Sequence, residues 1–414
     1  MKSVQKYTSI VLITDSYPFR CETEGAFVAP ELAFLSNAFK RVVIVPVNPK
    51  VSSSDIASDL PENVEVARWW INHPDCNNAV RRMRYLLSPY AWRMLRGDYS
   101  RLSCTFVMAC MAFAAALPQW MRKSSLDWGS TLFYTFWFDM GACALGMLSD
   151  KYPVRFISRA HGYDILSVRS MRLRRKAMMH LMQLYTASES GNNTFRERYP
   201  EESSKIATRL LGCVKQTCGV MASRHVKSDK KLTFLSVAQL SARKRIGMTF
   251  DFLHALAVAR PDTLIEWIYV GDGVDMPLLK EKVVSQQREN MCVRFMGSMD
   301  NSAVQRLYVD YPIDWTILLS RYEGGHPIAA CESLAYGVPV VATQVGGLSE
   351  MIDDDCGLLL SANPTEEEFV RGIIPYLDSE YRTERLRRGA YEKWRNSYDA
   401  SVLRASFVDE ISKL

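Results

Sequence analysis

Residues 315–352, WTILLSRYEGGHPIAACESLAYGVPVVATQVGGLSEMI, restrict the fold more than any other stretch of the chain. They read as a short apolar strand (315–319), a Gly-rich loop, an amphipathic helix, a second buried strand (338–343) and another Gly turn. The first strand is apolar on both faces, which suits a parallel strand covered by helices on two sides. Pro327 suits the first turn of the helix, where no backbone N–H is needed, and Gly337 suits its C-terminal cap. Gly324 and Gly325 let the backbone approach a ligand closely. The helix behind them directs its unpaired N–H groups and positive dipole end at the same place. Glu332 lies about one and a half turns into that helix. A carboxylate beside an anion cradle fits a nucleotide, with phosphates on the amides and ribose hydroxyls on the acid.

Residues 323–352 resemble the donor-binding signature of retaining glycosyltransferases of the GT-B fold, family four. Glu332 through Ala342, ESLAYGVPVVA, follow that pattern closely. The family also has a Glu in the preceding loop. Eight residues separate Glu323 from Glu332, one more than the family spacing, so strict register puts Gly324 in the first Glu's place. A loop absorbs one extra residue as a bulge, and Glu323 then keeps the role. The resemblance implies an α/β chain of two Rossmann-like, doubly wound parallel-sheet domains facing across a cleft. It further implies that Glu323 orients the sugar and that Gly324, Gly325, His326, Pro327 and Glu332 bind the donor.

From its start the chain reads strand (10–14), loop (15–25), helix (26–39) and strand, a unit with a right-handed crossover. The loop leaves the carboxyl end of a first strand, where open α/β sheets bind ligands. Gly25 either makes a plain turn or admits a diphosphate or acceptor to the backbone; the family's Gly at this place implies the second. Glu22 and Glu24 read as solvated. Tyr134, Phe136 and Trp137, at the end of a strand starting at residue 131, suit a core or a sugar platform. The strand 154–161 exits through His161, which by itself suits a structural role. Arg159 through Asp164 resembles the family's Arg-Ala-His-Gly-x-Asp segment, and this implies that His161 lies beside the donor sugar.

A second domain opens with strand 232–237. Family members place an Arg after this strand and a Lys farther on, both reaching the diphosphate. Here Gln239 stands in the Arg position and Lys244 in the Lys position, while Arg243 and Arg245 flank the lysine and either can supply the missing charge. Strands ending at Gly271 and Gly297 form a rim for base and ribose. No GxGxxG follows the first strand of either domain, which disfavours a nicotinamide-dependent oxidoreductase. Asp353, Asp354 and Asp355 read as solvated turn carboxylates rather than metal ligands. The expected layout is an N-terminal acceptor domain (1–212), a hinge (213–231), a nucleotide-sugar domain (232–395) and a final helix (396–414) packing back on the first domain.

A chain of 414 residues and 48% hydrophobic composition is long enough for two such domains. Its net charge of +6 is too small to imply nucleic acid, and no recognised binding motif does so. Ten cysteines lack metal-ligand spacing, several of them inside apolar runs, which fits a reducing cytosolic compartment. The N-terminus shows no signal-peptide pattern, and the run 104–117 reads as a buried helix shorter than the ~20 residues a membrane span needs. Residues 78–101 interleave Arg81, Arg82, Arg84, Arg93 and Arg96 with Tyr85, Leu87, Tyr90 and Trp92. That pattern suits docking on an anionic membrane surface as well as a core helix with a basic outer face. A second basic run, Arg169, Arg172, Arg174, Arg175 and Lys176, supports the former.

The expected chemistry is retaining, metal-independent transfer from a nucleotide-diphosphate sugar, with no cofactor, to a glycan or lipid-linked glycan acceptor of the cell envelope. Lys244, the amides near Gly325 and the helix dipole carry the leaving-group charge, and domain closure excludes water. Three alternatives share parts of these features: a nucleotide-sugar epimerase or hydrolase of the same fold, a non-catalytic nucleotide-sugar-binding subunit, and the disfavoured oxidoreductase.

Overall fold

The computed structural model describes residues 6–19, 22–51, 56, 60–167, 170–216 and 230–414, with the backbone alone for Glu22, Thr23 and Leu166. Most of the expected hinge (217–229), together with Arg169, lies outside the described residues. The chain divides into two compact units, Met1–Leu210 with Val402–Leu414, and Leu211–Ser401.

The first unit is a seven-stranded parallel sheet. Its strands are β1 (Ser9–Thr14), β2 (Arg41–Pro46), β3 (Val64–Val66), β4 (Thr131–Thr135), β5 (Arg155–Ala160), β6 (Gln183–Thr186) and β7 (Ile206–Thr208), in the order β3-β2-β1-β4-β5-β6-β7. The strands are apolar on both faces because both are covered. Val11 and Ile13 join one core with Val43, Val45 and Phe133, while Ile10 and Leu12 join the other with Val42, Ile44 and Leu132. The second core is completed by Phe407, Val408 and Ile411 of the helix Ala400–Ser412. At its centre the guanidinium of Arg159 donates to Tyr134 Oη at 2.7 Å, to Glu31 Oε2 at 2.9 Å and to the Arg209 carbonyl at 3.1 Å, beneath the ring of Phe407. Each polar atom of this buried cluster has a partner, which offsets the cost of burying charge.

The apolar run expected to span 104–117 is part of a longer helix, Arg101–Lys123. With 23 residues, it is long and apolar enough to cross a membrane, yet 56% of its most apolar 18-residue stretch is buried within the protein. Val107, Cys110, Phe113 and Leu117 are wholly buried in the first unit's interior.

The second unit is a six-stranded parallel sheet of β8 (Lys231–Val237), β9 (Leu264–Val270), β10 (Met291–Gly297), β11 (Trp315–Leu318), β12 (Val340–Thr343) and β13 (Gly357–Leu360), ordered β10-β9-β8-β11-β12-β13. The doubly wound α/β class read from the sequence is therefore present twice. In each sheet the strand order reverses beside the unit's first strand, between β1 and β4 and between β8 and β11. Loops leaving the carboxyl ends of those strands diverge and leave a crevice, the usual ligand position in open α/β sheets.

Candidate functional site

In the second unit the loops after β8, β11 and β12 converge. The amide of Arg321 donates to the Arg243 carbonyl at 2.7 Å, and Thr343 Oγ1 donates to the Ser320 carbonyl at 2.6 Å, so all three loops are pinned together. Held among them, Glu323 is only 9% exposed. Its carboxylate accepts from Ser320 Oγ at 2.6 Å, from Arg243 Nη1 at 3.0 Å and from the Lys244 ammonium. Burial lowers the pKa of Lys244, and the Glu323 carboxylate opposes that shift. Two cations share one carboxylate, which leaves a unit of positive charge for an incoming anion.

The glycines after β12 make this convergence possible. Gly346 has φ +46°, and a Cβ there would lie 1.6 Å from the Glu323 carbonyl oxygen. A Cβ on Gly347 would lie 2.1 Å from the Gly325 carbonyl oxygen. Only bare backbone fits against the 323–325 loop, so Gly346→Ala is expected to cost on the order of 2–4 kcal/mol of stability. Urea unfolding checks this; a loss below about 0.5 kcal/mol would mean that the loop yields freely.

Gly324, Gly325 and His326 are partly exposed ahead of the helix Ile328–Ala335. Pro327 sits one position earlier than expected, at the N-cap, where its carbonyl accepts from the amides of Ala330 and Cys331. Gly337, with φ +66°, closes the other end: its amide reaches the Leu334 carbonyl and that of Val338 the Ser333 carbonyl. The His326 ring packs 4.9 Å from that of Tyr398; its buried Nε2 has no hydrogen-bond partner among the described residues. Burial pushes its pKa down to about 4, so the ring is neutral.

Glu332, on that helix, is 2% exposed. Asn301, at the start of the helix Asn301–Asp310, donates its side-chain amide to Glu332 Oε1 and is itself held by Gln305 Nε2 at 3.1 Å. Burial pushes the Glu332 pKa up to about 7. Asn301 carried no distinguishing signal in the sequence, since MDNSAVQ reads only as a helix start.

Of the two flanking arginines, the structure brings Arg243 to Glu323 and does not bring Arg245 there. The left-handed backbone at Arg245 (φ 50°) sends its guanidinium to the Ala362 carbonyl at 2.8 Å and to Asn363 Oδ1 at 2.6 Å. Gln239, in the family's Arg position, is exposed. Asp353 and Asp355 pair with Lys393 at 2.7 Å and Arg385 at 2.5 Å.

In the first unit, His161 caps the short helix Gly162–Leu166, its amide donating to Asp164 Oδ2 at 2.9 Å. Its Nε2 lies 3.0 Å from the Phe136 carbonyl, which places the ring proton on that nitrogen. The rings of Phe136 and Trp137 pack at 4.6 and 4.7 Å, and burial pushes the His161 pKa down to about 3. This histidine is neutral and cannot serve as an acid near pH 7.

Gly25 lies inside the helix Glu22–Ala38 rather than before it, and a Cβ there would meet only Tyr17, at 3.9 Å. The protein itself therefore does not require glycine at this position. Its neighbour Glu24 is not solvated as expected. It is 2% exposed and accepts the amides of Asp15, Ser16 and Tyr17 at 2.8, 2.6 and 2.8 Å, and Trp137 Nε1 at 2.8 Å. This clip shapes a cavity of about 280 Å³ at the switch point of the first sheet, lined by Ile13, Asp15, Glu24, Trp137, Gly141 and Tyr163 among others. Tyr134 and Phe136 are core; of the three aromatics, Trp137 alone lines the cavity.

Residues 221–393 match the model of the family described as glycosyl transferases group 1. The second unit carries a group 1 glycosyltransferase domain. The cations at Glu323, the 324–327 loop and the helix bearing Glu332 all fall within it. The chain is similar to N-acetyl-alpha-D-glucosaminyl L-malate synthase of Bacillus anthracis, with 28% identity over 44% of this chain and 46% of that protein. It is also similar to the amylovoran biosynthesis glycosyltransferase AmsK of Erwinia amylovora, with 27% identity over 30% of each. The chain thus aligns with under half the length of these curated relatives. The crystal structure of HepE from Anabaena in complex with UDP superposes with a TM-score of 0.65 at 15% identity, covering 98% of this chain and 100% of that one. At that identity the likeness establishes the fold, GT-B.

Proposed function

We propose that this protein transfers a sugar from a nucleoside-diphosphate sugar to a hydroxyl of a glycan or lipid-linked glycan. The observation that carries the reading is the convergence of Lys244 and Arg243 on Glu323 at the switch point of the group 1 domain. The leaving group is a nucleoside diphosphate, and its developing charge is what the site must stabilise. Lys244, Arg243 and the amides of Gly324, Gly325 and His326 supply that stabilisation, and the ion pairs to Glu323 hold the two cations in place beforehand. Such a cation pair does the electrostatic work of a divalent metal, so we assign metal-independent transfer with retention of configuration, as the family resemblance implies. Glu332 receives the ribose hydroxyls and Glu323 the sugar.

The cavity beside Trp137 is the proposed acceptor pocket. An aromatic face suits a sugar ring, and Asp15 accepts hydroxyl hydrogens. The UDP held by HepE and the relative named as a glycosyltransferase support the donor class. We further propose a role in cell-envelope polysaccharide synthesis, in the cytoplasm at the inner face of the membrane; the relative named for amylovoran biosynthesis supports the biosynthetic part of that reading.

Titration calorimetry with UDP, GDP and ADP tests the donor site, and product analysis then separates transfer from hydrolysis or epimerisation. Glu332→Ala is expected to weaken the preferred nucleotide at least about tenfold. Because the folded pKa of Glu332 is near 7, the ionised form that accepts two ribose hydroxyls prevails only above that pH. Wild-type affinity therefore rises between roughly pH 6 and 8, beyond any change from the nucleotide's own phosphate, and Glu332→Gln removes the difference. The sign for stability is opposite. A raised folded pKa means that stability is fullest below the unfolded value of 4.5 and falls as pH rises toward 7, so Glu332→Gln melts higher than wild type at pH 8. Equal affinity and equal pH dependence in wild type and Glu332→Gln would remove Glu332 from the site.

A further inference from the structure

The basic and aromatic segment in the first unit has an apolar side turned outward. Residues 79–87 form one helical run, the α-helix Ala79–Arg82 continuing as the 3-10 helix Met83–Leu87. Its large apolar side chains Val80, Met83 and Leu87 are of the kind that a globular protein ordinarily turns to its core. Here they are 76%, 56% and 85% exposed. The next helix, Pro89–Leu95, buries Ala91 and Leu95 and leaves Trp92 51% exposed, its ring 6.2 Å from that of Tyr99, which is 60% exposed. Leu102, at the start of the following helix, is 63% exposed. Six of the nineteen large apolar side chains exposed among the described residues thus fall within this one short segment, so the exposure is concentrated rather than scattered.

The charge around these groups is predominantly positive. Arg93, Arg96 and Arg101 are exposed, and Arg172 joins them by donating from Nε to the Arg96 carbonyl at 3.1 Å. Arg81 and Arg84 remain about half exposed although they pair with the buried Asp75. Asp98 is the one acidic residue between positions 79 and 102. Part of the second basic run does not contribute: Arg174 is buried, donating to the Phe138 carbonyl at 2.6 Å, and Lys176 pairs with Asp150 at 2.5 Å.

We infer that residues 79–102 form a docking surface for an anionic lipid bilayer. Val80, Met83, Leu87 and Trp92 enter the interface, and the arginines lie among the headgroup phosphates. An outward apolar stripe flanked by arginine and aromatic rings matches both components of such a surface, whereas a nucleic acid would leave the stripe in water. This goes beyond the transfer reaction and does not depend on it.

The test is co-sedimentation of the full chain with vesicles of phosphatidylcholine alone and with about 30 mol% phosphatidylglycerol. Binding is expected only to the anionic vesicles and is expected to fall steeply by roughly 0.5 M salt. Val80→Asp with Leu87→Asp, and separately Arg93→Ala with Arg96→Ala, are each expected to weaken it about tenfold or more, with UDP affinity unchanged. These side chains are exposed, so both variants keep the fold, and an unchanged melting temperature verifies this. Equal binding to neutral vesicles, no binding to either, or full binding by the aspartate variant would overturn the assignment. So would concentration-dependent self-association of the free protein that the same aspartates abolish, because a second copy would then be the occupant.

Discussion

Lys244→Ala is expected to weaken nucleoside diphosphate binding by about two orders of magnitude. A charge-assisted hydrogen bond to phosphate contributes roughly 1.5–3 kcal/mol, and losing it accounts for most of that factor. The remainder is electrostatic. With lysine present, Arg243 and Lys244 exceed the single charge of Glu323; without it, Arg243 and Glu323 cancel and the anion meets a neutral site. The folded protein should tolerate the change, since Glu323 keeps Arg243 and Ser320 as partners. Calorimetry with the preferred nucleoside diphosphate decides the matter, and an affinity within twofold of wild type, with an intact melting transition, would place the diphosphate elsewhere.

Glu323→Gln separates the two tasks of the site because turnover falls while binding does not. In the free protein the Glu323 carboxylate competes with phosphate for both cations. The amide does not, so affinity for the nucleoside diphosphate should hold or improve. Turnover should fall on the order of 100-fold, because the group proposed to orient the sugar in the transition state has lost its charge. Stability is expected to drop by about 1–3 kcal/mol, the cost of leaving the largely buried Lys244 ammonium without a charged partner. Turnover at the wild-type rate would move the sugar-orienting role away from Glu323.

What could be read in advance was local. The helix Ile328–Ala335 was visible because its C-terminal signal, Gly337, acts through its own φ angle on the turn it closes. The buried strands were visible because covering a sheet on both faces leaves continuous apolar runs such as VLI and VVIV. What escaped depends on groups distant in sequence. Glu24 looked solvated because nothing nearby shows that the loop 15–17 folds back to donate three amides to it. Asn301 and Glu332 meet across 31 residues. The choice between Arg243 and Arg245 turns on one left-handed backbone conformation at a non-glycine residue, which no pattern announces. Arg174 sat in a basic run that read as surface, yet its guanidinium caps the Phe138 carbonyl inside the first unit.

Residues 402–414 supply part of the wall around Arg159, through Phe407 and its neighbours, although every strand of that sheet precedes residue 209. During translation, therefore, the first unit waits with an unfinished interior while the whole glycosyltransferase domain leaves the ribosome. Its guanidinium–carboxylate pair lacks the cover of Phe407 until the helix Ala400–Ser412 emerges. The nascent first half is consequently the part most in need of chaperone cover.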